Sequence, residues 1–286
     1  MKTDGLFKYA SLTTVWVWLF IFSLLPFVLI LGASFMHHSE SHLMQLPLTF
    51  ENYKGLGNSI YLRIFERSFV VALSATFFCL LLGYPFAYLL ARVHSRIKNL
   101  LILLVIIPFW TSSLIRSYAL IAIIKTRGLL NSLLLHLHLI HQPLSILFTN
   151  KAVMVGLVYN LLPFMILPIM TNVERLDERL IDAARDLGAS RLTTLRRIII
   201  PLTMPGIISG SILVFLPAMT LFYISDILGG AKSVLLGNLI QNEYLIAENW
   251  PLGSAVSIML TMVLALLIAI NMWAARGNNK QQGGWL

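Results

Sequence analysis

Charge is scarce in this sequence: 12% of its 286 residues are Asp, Glu, Lys or Arg, about half the ~25% of soluble domains. The deficit is concentrated in uncharged stretches at Tyr9–Ser39, Ser68–Ala91, Ala152–Val173, Ile198–Ser225 and Asn249–Ala275, with a sixth at Asn99–Ile124 broken only by Arg116. Each has the ~20 apolar residues needed to cross ~30 Å of hydrocarbon. That excludes a soluble globular domain. Cysteine is nearly absent: Cys79 stands alone in an apolar stretch, which rules out disulfides and cysteine metal sites. The uncharged stretches hold no acid, where an ion-coupled secondary transporter would carry Asp or Glu. No linker or low-complexity tract interrupts the chain, so residues 1–286 are expected to form a single membrane domain.

Chemistry is missing as well. There is no Ser/His/Asp set and no HExxH, so no catalytic residue is assigned. His136, His138 and His141 have no carboxylate or cysteine nearby and are not expected to hold a metal. Gly229-Gly230-Ala231-Lys232-Ser233 resembles the tail of a phosphate-binding loop, but the spacing asks for glycine where Asp226 and Ala231 stand. No cofactor is therefore expected in this chain. The net charge of +9 does not point to nucleic acid, because the basic residues lie in short segments beside apolar stretches.

What is present reads as an all-α integral membrane protein with six transmembrane helices. The first apolar stretch is too long for a signal peptide and is read as a retained helix. Segment 128–150 is apolar but carries Asn131, three histidines and Pro143, so it is expected to lie along the interface without crossing. Lys and Arg then favour the side holding both termini, which is assigned as cytoplasmic. Pro85, Pro108, Pro163, Pro168, Pro205 and Pro217 punctuate the helices, as membrane helices permit where neighbours satisfy the freed carbonyls.

The internal segment 174–200 is the most informative. Leu176, Leu180, Ala184 and Leu187 recur at helical spacing, so a short amphipathic helix is expected over Asp177–Leu187. Gly188 falls at the C′ position, where the backbone turns left-handed. Ser190 suits the N-cap of a second short helix with Leu192, Leu195 and Ile198 on one face, before Pro201 and Pro205 open the next crossing. An interfacial loop packed on headgroups fits this periodicity, and so does a docking surface.

Asp182-Ala183-Ala184, Gly188, Ile198 and Pro201 resemble the EAA loop of ABC importer permeases, with aspartate in place of glutamate. LTFENY (48–53), LGYPFAYLLAR (82–92), PFWTSSLIRSYAL (108–120), RDLGAS, IIIPLTMPGI, LPAM (216–219) and GGAK (229–232) extend the likeness to B-type permease subunits of spermidine/putrescine importers. The resemblance implies the type I ABC importer permease fold with cytoplasmic coupling helices in a bacterial inner membrane. It also implies a homologous C-type second permease, a periplasmic polyamine-binding protein, and two ATPase subunits that carry ATP and Mg. Asp182, Ala183, Ala184, Gly188 and Pro201 would then couple the chain to an ATPase. The alternatives are an ABC permease for another small solute and an ion-coupled secondary transporter.

A polycation crossing a membrane needs carboxylates at the mouth and aromatic faces inside, each cation–π contact being worth roughly 0.5–2 kcal/mol. Asp226, read as an unpaired carboxylate at the outer end of the fifth crossing, and Glu243 are candidates for the mouth. Trp110, Tyr118, Tyr159 and Tyr223 are candidates for the path. Tyr118 and Tyr223 equally suit an interfacial belt, and Trp110 equally suits packing. Arg116 would repel such a substrate, so snorkelling or pairing with an acid is expected of it.

Overall fold

A computed structural model describes residues 12–38, 45–230 and 234–282, with side chains left undescribed at residues 95, 270, 271 and 273–282. Lys2, Lys8, Lys232 and both chain ends lie outside the described residues. Helix dominates, and the described residues contain no strand beyond one isolated bridge, His37 with Gln45. Six stretches are long and apolar enough to cross a membrane. We label the helices α1 (Leu12–Ala33), α2 (Glu51–Leu56), α3 (Ser59–Arg92), α4 (Ser95–Ile106), α5 (Ser113–Ile124), α6 (Leu129–His136), α7 (Asn150–Glu174), α8 (Glu178–Asp186), α9 (Arg191–Thr220), α10 (Phe222–Gly229), α11 (Leu236–Leu245) and α12 (Trp250–Gln282).

Ser113–His136 meets the length and hydropathy of a crossing, yet a turn at 125–128 divides it into α5 and α6. Their 12 and 8 residues reach only ~18 and ~12 Å, short of the bilayer core. We therefore take residues 99–124 as the third crossing. It is helical on both sides of a break, a 3₁₀ turn at Ile107–Trp110 followed by extended Thr111. Pro108 opens the 3₁₀ turn, where its missing N–H costs nothing. After α6 the chain is irregular to Thr149, fixed by buried Asn131. Its Nδ2 donates to Lys125 O (3.3 Å) and Leu144 O (2.9 Å), and its Oδ1 accepts from Leu144 N (2.8 Å). Asn131 thus ties α6 back to the irregular stretch that follows it.

The contacts divide the chain into two compact units, residues 1–63 with 239–265 and residues 64–238 with 266–286. In the first unit, none of the apolar window of α1 is buried. Trp16, Trp18, Phe20 and Phe22 are all exposed, as suits a helix whose solvent is lipid. The loop after α1 is held by Asn52 Nδ2, which donates to Ser34 O (3.0 Å) and Met36 O (2.8 Å), and by the Ser34–Tyr53 hydroxyl pair (2.7 Å).

The second unit is built on α7 and α9. Leu157, Leu161, Met165, Ile169 and Val173 of α7 are fully buried at i+4 spacing. Gly206 and Gly210, also i+4, let the α9 backbone approach. A Cβ on Gly206 would stand 2.8 Å from Pro168 O, and one on Gly210 would stand 2.9 Å from Met165 Sδ and 3.1 Å from Met165 O. This is the small-xxx-small seam by which membrane helices gain close packing. Two π turns, Phe20–Leu24 and Leu195–Ile199, immediately precede Pro26 and Pro201. Proline donates no hydrogen bond and crowds the carbonyl four residues back, and a widened turn relieves both.

Candidate coupling loop and substrate-path residues

The loop between α7 and α9 follows the backbone expectation closely at its elbow. Asp177 caps α8 by accepting from Arg179 N at 3.0 Å. At the other end Gly188 has φ +80°, its N–H donates to Arg185 O (2.9 Å), and Ala189 N–H donates to Ala184 O (3.0 Å). These two bonds form a complete Schellman closure. Ser190 then caps α9, accepting from Thr193 N at 3.2 Å.

Two details correct the sequence reading. The buried face of α8 is Ile181 and Ala184, whereas Leu180 and Leu187 are 47% and 89% exposed. Asp182 and Ala183 share that outward exposure, so the two alanines differ: Ala184 packs inward and Ala183 stays on the free surface. Nor is there a separate second short helix, because Arg191–Thr220 runs continuously through the π turn. Pro201 and Pro205 sit inside this helix and do not open it.

Residues the sequence reading missed brace the loop. Arg92, at the end of α3, pairs with Glu178 and lies over the Tyr88 ring, with 5.5 Å to its centroid. Lys98 Nζ of α4 pairs with Glu174 Oε1 at 2.7 Å. Sequence separation hides these partners; the one local signal is two glutamates four residues apart. Asp182 meets Arg185 at 3.4 Å in a solvent-exposed pair, a contact of little energetic weight.

The path candidates are placed individually. Phe109 packs edge-on against Phe164 at 4.9 Å, which turns Trp110 outward to 78% exposure. Packing within this chain is therefore not its role. Tyr118 (60%) and Tyr159 (45%) are also exposed, and Tyr223 is half-buried against Phe222. Among the described residues no ring contact links Trp110, Tyr118 and Tyr159 to one another. Arg116 has a buried Nε without a partner, and no described acid lies within ion-pair distance, so the expected acid partner is not in this chain's described residues.

Asp226 is on α10 and is not unpaired as expected. Buried Asn238 donates from Nδ2 to Asp226 Oδ1 (2.6 Å) and to Phe222 O (3.1 Å), while its Oδ1 accepts from Leu235 N (3.0 Å). Desolvation raises the Asp226 carboxyl above its usual range, and the Asn238 bond offsets part of that rise. Glu243 belongs to the first unit, on α11. Burial raises its carboxyl and the nearby His38 lowers it in part. Tyr244 next to it is tied to α12 through Ser254 Oγ (2.7 Å) and the Trp250 ring.

Residues 83–280 match the family described as binding-protein-dependent transport system inner membrane component. The chain belongs to this family. The permease is 47% identical over 281 residues to the spermidine/putrescine transport system permease protein PotB of Salmonella typhimurium (strain SL1344), covering 98% of each chain. It is 32% identical over 123 residues to the permease protein PotC of Shigella flexneri, covering 43% of this chain and 46% of that one. Its fold is that of a chain in the crystal structure of a bacterial alginate ABC transporter complexed with an alginate pentasaccharide-bound periplasmic protein. There the TM-score is 0.74 at 16% identity, over 94% of this chain and 93% of the other. The permease is thus a multi-pass inner-membrane transport protein of the type I ABC fold, a transport component and not a catalyst.

Proposed function

We propose that this permease forms, with a homologous second permease, the path by which a polyamine such as spermidine or putrescine enters the cytoplasm. A periplasmic binding protein delivers the cation. Two ATPase subunits, which hold ATP and Mg, dock against segment 174–200 through Asp182, Ala183, Gly188 and the surface around them, while Ala184 and Pro201 set its backbone. Residues 1–286 act as one permease domain with both termini cytoplasmic. The observation that carries this reading is the 47% identity to a spermidine/putrescine permease across 98% of both chains, and the exposed, rigidly capped coupling helix agrees with it. Affinity purification of the full chain from detergent-solubilised membranes is expected to retain an ATPase and a second permease. Purification of the chain alone from membranes that make all the subunits would refute it.

The topology has its own test. Single cysteines at positions 136 and 190 are expected to react with an impermeant thiol reagent from opposite sides of the membrane. Labelling of both from one side would refute six crossings with cytoplasmic ends.

Asp226 receives the cation at the outer mouth, and Trp110, with Tyr118, Tyr159 and Tyr223, offers π faces further along; Glu243, on the first unit, is a separate candidate carboxylate. Asp226→Asn keeps the Asn238 contact region but removes the charge. It is expected to raise the half-saturating spermidine concentration severalfold at low ionic strength while leaving the maximal rate. Burial raises the Asp226 carboxyl, so wild-type uptake at low substrate should begin to fall on acidification at a higher pH than an ordinary carboxylate would give, and the variant should respond less. Trp110→Leu removes a π face worth about 0.5–2 kcal/mol and should lower uptake even at saturation. Uptake per folded complex in vesicles measures both, and wild-type kinetics in both variants would remove these residues from the path.

A further inference from the structure

At the end of α3 a cleft of about 390 Å³ separates its last turns from α8 and the start of α9. That volume is in the range of small-ligand sites. Its walls are largely apolar, with Leu89 of α3, Ile181 of α8 and Leu195 of α9 among them, and Tyr88 adds an aromatic surface. Arg185 and Arg191 also line it. Arg191 has no ion pair among the described residues, and Arg185 has only the long, solvent-exposed contact to Asp182, so two arginines line an apolar hollow without firm carboxylate partners. The Arg92–Glu178 pair ties the end of α3 to α8 beside the cleft.

We propose that this cleft binds an anionic phospholipid of the adjoining leaflet, with its phosphate on Arg185 and Arg191 and the root of an acyl chain against Leu89, Ile181 and Leu195. The chemistry selects an amphiphile. A free phosphate or nucleotide would leave the apolar walls wet, and a zwitterionic headgroup would bring its own cation to two arginines. Leu89, three residues from the end of a membrane-crossing helix, is 65% exposed, which places the apolar side of the cleft at bilayer level. Basic pockets between membrane helices are suited to such headgroups, each arginine or lysine contributing favourably near an anionic surface. A lipid held here spans α3, α8 and α9, so it stiffens the loop carrying Asp182. The site rests on the membrane placement of the chain and not on the identity of the solute or the ATPase.

The test uses the purified full chain after exchange into vesicles of phosphatidylethanolamine with or without phosphatidylglycerol, followed by native mass spectrometry of the solubilised protein. Wild type is expected to retain phosphatidylglycerol in preference to phosphatidylethanolamine. The Arg185→Gln/Arg191→Gln variant should retain roughly tenfold less, and each single variant an intermediate amount. Arg196→Gln/Arg197→Gln, which removes two exposed arginines outside the cleft, should retain phosphatidylglycerol as wild type does. Matching thermal transitions show that all variants are folded, and if the double variant fails to fold the two single variants decide. Equal retention in the cleft variants, equal loss in the Arg196/Arg197 variant, or displacement of the lipid by millimolar inorganic phosphate would each overturn the proposal. Lipid retention is read without transport, so its failure is distinct from failure of the importer reading.

Discussion

Gly188→Pro is expected to reduce uptake to background while leaving the chain in the membrane. Gly188 has φ +80°, and proline is locked near −65°, so the elbow between α8 and α9 must reorganise. Proline also removes the N–H that donates to Arg185 O at 2.9 Å, opening the Schellman closure. Space is not the obstacle, since a Cβ at this position meets nothing within 4 Å. Gly188→Ala therefore isolates the conformational cost, roughly 1–2 kcal/mol for a left-handed L-residue, and should give a partial loss. Gly188→Asn, which tolerates that region better, should retain more activity than alanine.

Asp182→Lys separates docking from folding. The Asp182–Arg185 contact is exposed on both sides and contributes little to stability, so the protein should be made and inserted normally. If α8 meets an ATPase through its outward face, reversing that charge should abolish stimulation of ATP hydrolysis by the loaded binding protein. Normal stimulated hydrolysis in both Gly188→Pro and Asp182→Lys would remove segment 174–200 from coupling.

The second large effect is structural. Leucine at Gly206 or Gly210 is expected to prevent stable assembly, because backbone stands in the way at each: Pro168 O at 2.8 Å from one Cβ, beside the Asn172 side chain at 2.9 Å, and Met165 O at 3.1 Å from the other. Met165 Sδ can move, and carbonyls fixed in α7 cannot. Overpacking of this kind costs typically 1–3 kcal/mol or more, and in lipid no hydrophobic term drives the helices together to compensate. Gly206→Leu/Gly210→Leu should therefore be depleted from membranes and lose its cooperative thermal transition in detergent. Gly32→Ala is the control: its Cβ meets nothing within 4 Å, and stability should be unchanged or slightly higher. A wild-type transition for the double leucine variant would show that α7 and α9 do not depend on this seam.

The crossings and the elbow are legible from the order of residues, for definite physical reasons. A bilayer demands about twenty apolar residues per crossing, so length and the absence of charge mark the crossings directly. The elbow is legible because helix closure is local: Gly188 and Ser190 act on backbone within a few residues of themselves. The buried face of α8 is not. Its period fits several faces, and only packing selects Ile181 and Ala184 over Leu180 and Leu187. Asp226 reads as a lone acid in sequence because its partner, Asn238, lies twelve residues away on another helix.

Composition and local pattern are thus enough to place this chain in a membrane, to count its crossings, to locate the turn in segment 174–200 and to mark the family it resembles. Tertiary structure alone decides what pairs across distance: Arg92 with Glu178, Lys98 with Glu174, Gly206 and Gly210 with the α7 backbone. It also decides that Trp110 faces outward while its neighbour Phe109 holds the fold. The reason is the range of the interactions. Solvent transfer and capping act through composition and neighbouring residues, whereas ion pairs, close helix approach and the choice of exposed face depend on elements brought together from distant parts of the chain.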